Sequence, residues 1–392
     1  MEFPETPVPV ESIDSETLKD RLDNDESVVL LDTRPPEMYE QWQISAPSAT
    51  TINVPHTSFH PEFDASVLEQ LPTDRPIVTV CAVGKSSEYA AGVLKEQGYD
   101  VSHLADGMHG WARLYERHEI SRYDGTGTVY QYQRPSSGCL AYLIVHDGEA
   151  AVIDPLRAFT DRYLSDADEL GATLTYAIDT HVHADHFSGL RELMAAGVTG
   201  VMVEPAVARG VRYDDELTVA SDGNVFSVGD VDIETVYTPG HTSGMTSFLV
   251  DGALLLTGDG LFIESVARPD LEEGDEGAPE AARQLHQSLH ERILTLPAST
   301  LIAGAHHSDA APVADDGTYT ATLEVVRSRM PALSMDREEF VTYVLSDMPP
   351  RPANYLDIIA TNLGEKETGA EEAFELELGP NNCAATPDAT AD

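Results

Sequence analysis

Thr180-His181-Val182-His183-Ala184-Asp185-His186 sets three imidazoles and a carboxylate within seven residues, directly after the apolar run that ends Tyr176-Ala177-Ile178-Asp179. A turn that only reverses the chain has no use for so many metal-capable groups. Neutral imidazole and carboxylate suit zinc, iron and other divalent first-row metals. Strand ends also present such groups from a rigid scaffold. A single histidine is usually structural, but the ordered pattern H-x-H-x-D-H reads as a metal motif. One loop cannot supply every ligand, and the chain provides more downstream. Thr238-Pro239-Gly240-His241-Thr242-Ser243-Gly244 puts His241 in a Gly/Pro-shaped turn. Leu254-Leu255-Leu256-Thr257-Gly258-Asp259-Gly260 runs a buried strand out into Asp259, and Leu301-Ile302-Ala303-Gly304-Ala305-His306-His307 does the same with His306.

In this order the four pieces resemble the metallo-β-lactamase fold family, over roughly Tyr130 to Gly364. The resemblance implies an αββα sandwich with its site along one edge of the two sheets. That fold hosts thioester hydrolases, lactamases, nucleases and oxygen enzymes, so the site must decide the chemistry.

The size and charge set limits. At 392 residues the chain is long for one core, and two domains are expected. There are 68 Asp plus Glu against 23 Lys plus Arg, a formal charge of −45, and lysine occurs only at Lys19, Lys85, Lys95 and Lys366. Such a charge argues against nucleic acid and anionic membrane surfaces as partners. In about 1 M salt the screening length falls to roughly 3 Å, so self-repulsion is largely removed. The acidity therefore reads as a halophilic, solvated surface. The expected result is loss of structure in low-salt buffer, followed by circular dichroism; full stability there would contradict it. No run of about 18 apolar residues suggests a transmembrane helix. The start, Met1-Glu2-Phe3-Pro4-Glu5, lacks the segments of a signal peptide. Cys81, Cys139 and Cys383 are too few and too scattered for a disulfide framework. The expected location is cytoplasmic.

Residues 11–118 read as a compact α/β unit. Ser27-Val28-Val29-Leu30-Leu31-Asp32 and Pro76-Ile77-Val78-Thr79-Val80 are buried strands, and Ser87 to Gln97 has helical spacing with Tyr89, Ala90, Val93 and Leu94 on one face. Strands alternating with helices imply a largely parallel sheet. Residues 119–127 read as a linker, 128–364 as the second domain, and 365–392 as an acidic, mobile tail with little to bury.

Cys81-Ala82-Val83-Gly84-Lys85-Ser86-Ser87 lies between a strand end and a helix start. Anionic sulfur there faces backbone N–H groups and the positive end of the helix dipole. Gly84 permits the tight curl, and Lys85 adds a cation in a lysine-poor chain. Leu31-Asp32-Thr33-Arg34-Pro35 and Leu104-Ala105-Asp106-Gly107-Met108-His109-Gly110-Trp111, together with this loop, resemble rhodanese domains. The resemblance implies that Cys81 carries sulfane sulfur as a persulfide, with Gly84 and Lys85 binding the sulfur species. Trp42-Gln43-Ile44 and Ala82 depart from the family's frequent residues, which leaves the donor open. The expected fold is thus α/β: an N-terminal rhodanese-like parallel-sheet domain followed by a metallo-β-lactamase αββα sandwich. Cys139, opening an apolar strand, reads as packing, and Cys383 as incidental.

After Asp259 the chain runs Gly260-Leu261-Phe262-Ile263-Glu264-Ser265-Val266-Ala267-Arg268-Pro269-Asp270-Leu271. This resembles the arginine-plus-aspartate signature of persulfide dioxygenases, a glyoxalase II-like subfamily. The segment Arg337-Glu338-Glu339-Phe340-Val341 and Pro350-Arg351-Pro352-Ala353-Asn354-Tyr355 resembles it too. The resemblance implies one Fe(II) per chain held by His181, His241 and Asp259. His183, Asp185, His186 and His306 then either orient those ligands or hold a second metal. Arg268 is expected to clamp a substrate carboxylate. The expected reaction takes a small thiol persulfide and O2 to sulfite, with Cys81 passing sulfur to or from the small molecules and thiosulfate among the products. The alternative is a hydrolase of thioesters with one or two Zn, in which the first domain regulates or docks. Ser308 and Asp309 stand where glutathione-using relatives carry a tyrosine, which points to another thiol. A homodimer is among the expected assemblies.

Overall fold

The structure, a computed structural model, describes residues 4–385 and consists of two compact units. The first runs to Leu114 and includes Arg134–Ser137; the second comprises Tyr115–Gln133 and the chain from Gly138 onward.

In the first unit five parallel strands form one sheet: β1 (Glu11–Ile13), β2 (Val28–Asp32), β3 (Ala49–Asn53), β4 (Ile77–Val80) and β5 (Val101–Leu104), in the order β1-β5-β4-β2-β3. Strands β2, β4 and β5 are buried along their whole length. That is why β2 and β4 read as near-continuous apolar runs rather than alternating ones. Two apolar clusters cover the faces, one around Leu30, Val78 and Trp111, the other around Leu31, Ile77 and Leu94. Cys81 follows the central strand β4 at its carboxyl end, where open parallel sheets hold their ligands.

The second unit packs two sheets face to face. One holds β6 (Glu116–Glu119), β7 (Thr128–Arg134), β8 (Cys139–His146), β9 (Glu149–Ile153), β10 (Thr173–Ile178), β11 (Thr199–Val203) and β12 (Thr218–Ala220), side by side in reverse chain order. The other holds β13 (Val225–Val228), β14 (Val231–Tyr237), β15 (Thr246–Val250), β16 (Leu254–Gly258), β18 (Leu301–Gly304) and β19 (Ala321–Thr322). Strand β14 alternates buried Val231 and Ile233 with exposed Asp232 and Glu234, as a half-covered strand must. Leu143, Val152 and Ile178 of the first sheet share one apolar cluster with Ile233, Phe248 and Leu256 of the second. A small ladder joins β17 (Val266–Ala267) to β20 (Ala384–Ala385). Among the described residues no helix is long and apolar enough to cross a membrane.

Two expectations are corrected. Residues 119–127 are not a linker: β6 and β7 pair antiparallel, Glu119 opposite Tyr130, and the intervening residues connect them. Ile120 is buried and Tyr123 Oη donates to Asp251 at 3.0 Å, so the segment is anchored within the second unit. The tail is not loose through 385. Ala370–Leu376 is a helix with Ala373 and Phe374 buried, and Cys383 is fully buried. A few well-spaced apolar anchors outweigh the acidic average composition. Residues 386–392 of that expected tail lie outside the described residues.

Candidate metal centre

Asp259 and His306 follow strand ends, and His241 lies in the turn between β14 and β15. Strand β10 ends at Ile178 and β16 at Gly258, so Thr180-His181 and Asp259 emerge beside each other. Gly258 sits at φ +51, and a Cβ there would lie 2.6 Å from Thr180 Oγ1. A side chain at 258 would force these two strand ends apart.

His181, His241 and Asp259 converge. Asp259 Oδ2 lies 3.7 Å from His181 Nε2 and 3.4 Å from His241 Nε2. All three residues are at most 1% exposed, and none of these three atoms has a hydrogen-bond partner. A buried polar atom left unsatisfied costs about 1–3 kcal/mol. Three of them aimed at one point, two imidazole nitrogens and a carboxylate oxygen, fit a divalent first-row metal.

The remaining ring nitrogens are tied back. Thr180 Oγ1 donates to Asp154 Oδ2 at 3.0 Å, so it must accept the Nδ1–H of His181, 2.9 Å away. Thr180 N–H reaches Asp154 Oδ1 at 2.7 Å, and His183 Nε2 lies 3.1 Å from the same oxygen. His241 Nδ1 stands 2.8 Å from the Arg268 carbonyl, which can only accept. Both rings therefore carry their proton on Nδ1 and leave the Nε2 lone pair free. Burial, the main cause, holds His181 well below and His241 below the ordinary imidazole range.

His306 plays a different part. Its Nδ1 is 2.6 Å from Asp259 Oδ1 and its Nε2 is 2.7 Å from Asp185 Oδ2. Burial opposes a charge there, yet the flanking Asp259 and Asp185 carboxylates hold the ring well above the ordinary range. In return, and against the same burial, His306 keeps Asp259 well below the usual carboxylate range. His186 Nδ1 lies 3.2 Å from Asp185 Oδ2, while His186 Nε2 and Asp185 Oδ1 have no partner. His306 thus touches the converging set directly, Asp185 and His186 follow behind it, and His183 shares Asp154 with Thr180.

The structure corrects the reading of Arg268. Its guanidinium is 1% exposed and donates to Asp270 through Nε at 2.7 Å and Nη2 at 3.0 Å, and through Nη1 to the carbonyls of Pro350 (2.9 Å) and Asn382 (3.0 Å). With four of its five N–H groups engaged from inside, it has no pair of donors left to clamp a substrate carboxylate. Its carbonyl positions His241 instead.

Sequence reasoning missed Asp154, Asn362 and the placement of two thiols. Asp154 ends the buried run Val152-Ile153-Asp154, the same device that flagged Asp259, and could have been found that way. Asn362 donates to the carbonyls of His183 (3.0 Å) and His186 (2.9 Å) and accepts Ser188 N–H at 3.0 Å, pinning the histidine loop. Nothing in its neighbourhood signals this. Cys139 is buried as expected, but its Sγ lies 3.3 Å from Asp185 Oδ2. Cys383 Sγ lies within 4.8 Å of the candidate ligand atoms of Asp185, Asp259 and His306, and its carbonyl accepts Arg268 N–H at 3.1 Å.

In the first unit, Ser87 Oγ lies 3.2 Å from Cys81 Sγ and 3.0 Å from Gly84 O. Gly84, at φ +82, turns the loop into the helix Lys85–Glu96. Met108 N–H and His109 N–H donate to the carbonyls of Cys81 and Ala82 at 2.8 and 3.0 Å, which fixes the loop from outside. Cys81, Gly84 and Lys85 are thus in one loop-to-helix junction.

Replacing Asp154 by asparagine is expected to weaken metal binding about 10- to 100-fold. The amide would donate to Thr180 Oγ1, which would then donate to His181 Nδ1 and push the proton onto Nε2. Titration against a competing chelator measures this; unchanged affinity would contradict the relay.

Residues 135–306 match the family described as the metallo-beta-lactamase superfamily, and residues 14–114 the rhodanese-like domain. The chain belongs to the metallo-beta-lactamase superfamily, in its persulfide dioxygenase branch, and carries a rhodanese-like domain ahead of that fold. It is 32% identical to the mitochondrial persulfide dioxygenase ETHE1 of Bos taurus over 241 residues, 59% of this chain and 87% of the relative. It is 31% identical to a hydroxyacylglutathione hydrolase of Cereibacter sphaeroides, over 56% of this chain and 80% of that one. Among solved structures, ETHE1 from Myxococcus xanthus is 29% identical with a TM-score of 0.50, covering 60% of this chain and 98% of the other. A metallo-beta-lactamase from Staphylococcus aureus is 25% identical with a TM-score of 0.56, covering 62% and 74%.

Proposed function

We propose that the second unit oxidises a low-molecular-weight thiol persulfide at a mononuclear Fe(II), and that Cys81 in the first unit carries sulfane sulfur. The balanced reaction is R–S–SH + O2 + H2O giving R–SH and sulfurous acid, which ionises to sulfite. The observation that carries this reading is the convergence of the unpartnered His181 Nε2, His241 Nε2 and Asp259 Oδ2. Two imidazoles and one carboxylate are the donor set of non-haem iron oxygenases, in which Fe(II) supplies the redox chemistry and adjacent open positions. The similarity to persulfide dioxygenases supports the choice of substrate and of an oxygenase reaction.

The chain's own groups do the rest. Asp154 and Thr180 hold the His181 tautomer, and the Arg268 carbonyl holds that of His241. His306 occupies Asp259 Oδ1, leaving Oδ2 as the oxygen free to bind a metal. The hydrogen-bonded line Asp259–His306–Asp185 holds the Asp259 carboxylate in place. Cys81 attacks the outer sulfur of a donor, the donor's S–S bond breaks, and the donor thiolate leaves. Sulfite attack on the resulting Cys81 persulfide gives thiosulfate and restores the thiolate.

A second reading, the two-zinc thioester hydrolase, has its own support. Asp185 Oδ1 and His186 Nε2 are also buried without partners, and hydroxyacylglutathione hydrolases are among the relatives. Metal analysis of protein purified without oxygen, paired with a thioester hydrolysis assay, tests the choice. One iron and no hydrolysis support the dioxygenase; two zinc ions and rapid hydrolysis overturn it.

A further inference from the structure

The charged groups beside the centre are unequally committed. Arg268, the cation best placed by sequence to receive an anionic substrate group, has its guanidinium filled by Asp270 and two carbonyls. Glu264 is the opposite case. It stands in the tight turn after Asp259, closed by Phe262 N–H donating to Ser265 O at 2.9 Å. The same turn sets the Phe262 ring 6.0 Å from that of His306. Glu264 Oε1 accepts Ser308 N–H at 2.9 Å, from the loop that follows His306. Oε2 is buried and has no partner. The carboxylate therefore bridges two loops of the centre with one oxygen, and the other is buried without a partner.

A carboxylate oxygen buried without a partner is costly, and an ammonium group brought to it removes that cost. Such a pairing favours one class of ligand over another of the same shape, because the neutral analogue leaves the oxygen unpaired. We infer that the persulfide taken by this centre carries an ammonium group, and that Glu264 Oε2 recognises it. The substrate class is then an amino-thiol persulfide, held through its cation rather than through a carboxylate. This inference rests on the persulfide reading above.

The test uses two persulfides of nearly equal shape, those of cysteamine and of 2-mercaptoethanol, in which ammonium replaces hydroxyl. With the full iron-loaded chain, kcat/KM for O2 uptake favours the cysteamine persulfide by roughly tenfold or more, mainly through KM. In Glu264→Gln the ratio falls towards one, and Glu264→Asp restores part of it. A second readout needs no turnover. Calorimetry of the zinc-loaded chain with the parent thiols shows the same preference for cysteamine, lost in Glu264→Gln. Uptake with both persulfides at equal efficiency, or a ratio unmoved in Glu264→Gln, overturns the inference and leaves the oxygenase reading intact. No uptake with either persulfide, combined with a Glu264-dependent preference in calorimetry, sinks the oxygenase reading and keeps the ammonium site. No preference in either experiment removes the site.

Discussion

Asp259→Ala is expected to yield a chain that retains no iron and loses persulfide-dependent O2 uptake by more than about a thousandfold. Asp259 is the carboxylate of the converging set, and its Oδ2, like His181 Nε2 and His241 Nε2, is buried with no hydrogen-bond partner. Removing it leaves two neutral imidazoles, too few to fix a divalent ion in a set geometry. The substitution also strips His306 of its 2.6 Å partner. Breaking one side of a buried charged pair costs about 3–5 kcal/mol, so the variant should also melt earlier. Asp259→Asn separates the two effects. An amide can keep a hydrogen bond toward His306 but is a poor metal ligand, so stability should recover while iron and uptake stay lost. Iron retained by Asp259→Ala would contradict the assigned ligand set.

The second large effect concerns sulfur transfer. With persulfide and sulfite both supplied, Cys81→Ala is expected to abolish thiosulfate formation by about a thousandfold or more, so that sulfite accumulates in its place. No other group of that loop can form the S–S bond: Ser87 and Ser86 offer hydroxyls, and Lys85 an ammonium. The backbone cradle from Gly84 to the helix Lys85–Glu96 remains in the variant, but it has no sulfur to hold. Chromatography of the sulfur products reads the outcome. Product ratios unchanged from the native chain would mean that the first unit takes no part in sulfur transfer.

The candidate ligands are plain in the sequence because each follows an apolar strand or sits in a Gly/Pro turn. His181, His241 and Asp259 all follow that rule, and the structure brings them together. Their supports were less legible. Asp154 obeys the rule, but one aspartate at a strand end is a weak signal alone. Asn362 lies 176 residues from His186, and its two carbonyl contacts are purely tertiary. Arg268 differs from its expected role because Asp270 is two residues further on, where an extended chain puts both side chains on one side; the short internal pair forms and the outward role is lost. The C-terminal segment was misread for a different reason. Averaged over its length it is acidic, but Phe374 and Cys383 are buried, and the β17–β20 ladder sets Ala385 opposite Val266. The strands of both units were legible because burial on two faces makes them continuously apolar, as in Val28–Asp32 and Leu254–Gly258.

Oxygen consumption by the anaerobically reconstituted chain bears most directly on the central claim. With one Fe(II) bound and a small thiol persulfide added, one O2 should disappear for each sulfite formed, and chelation of the iron should stop it. A chain that binds iron at His181, His241 and Asp259 yet consumes no O2 with any thiol persulfide would contradict the account.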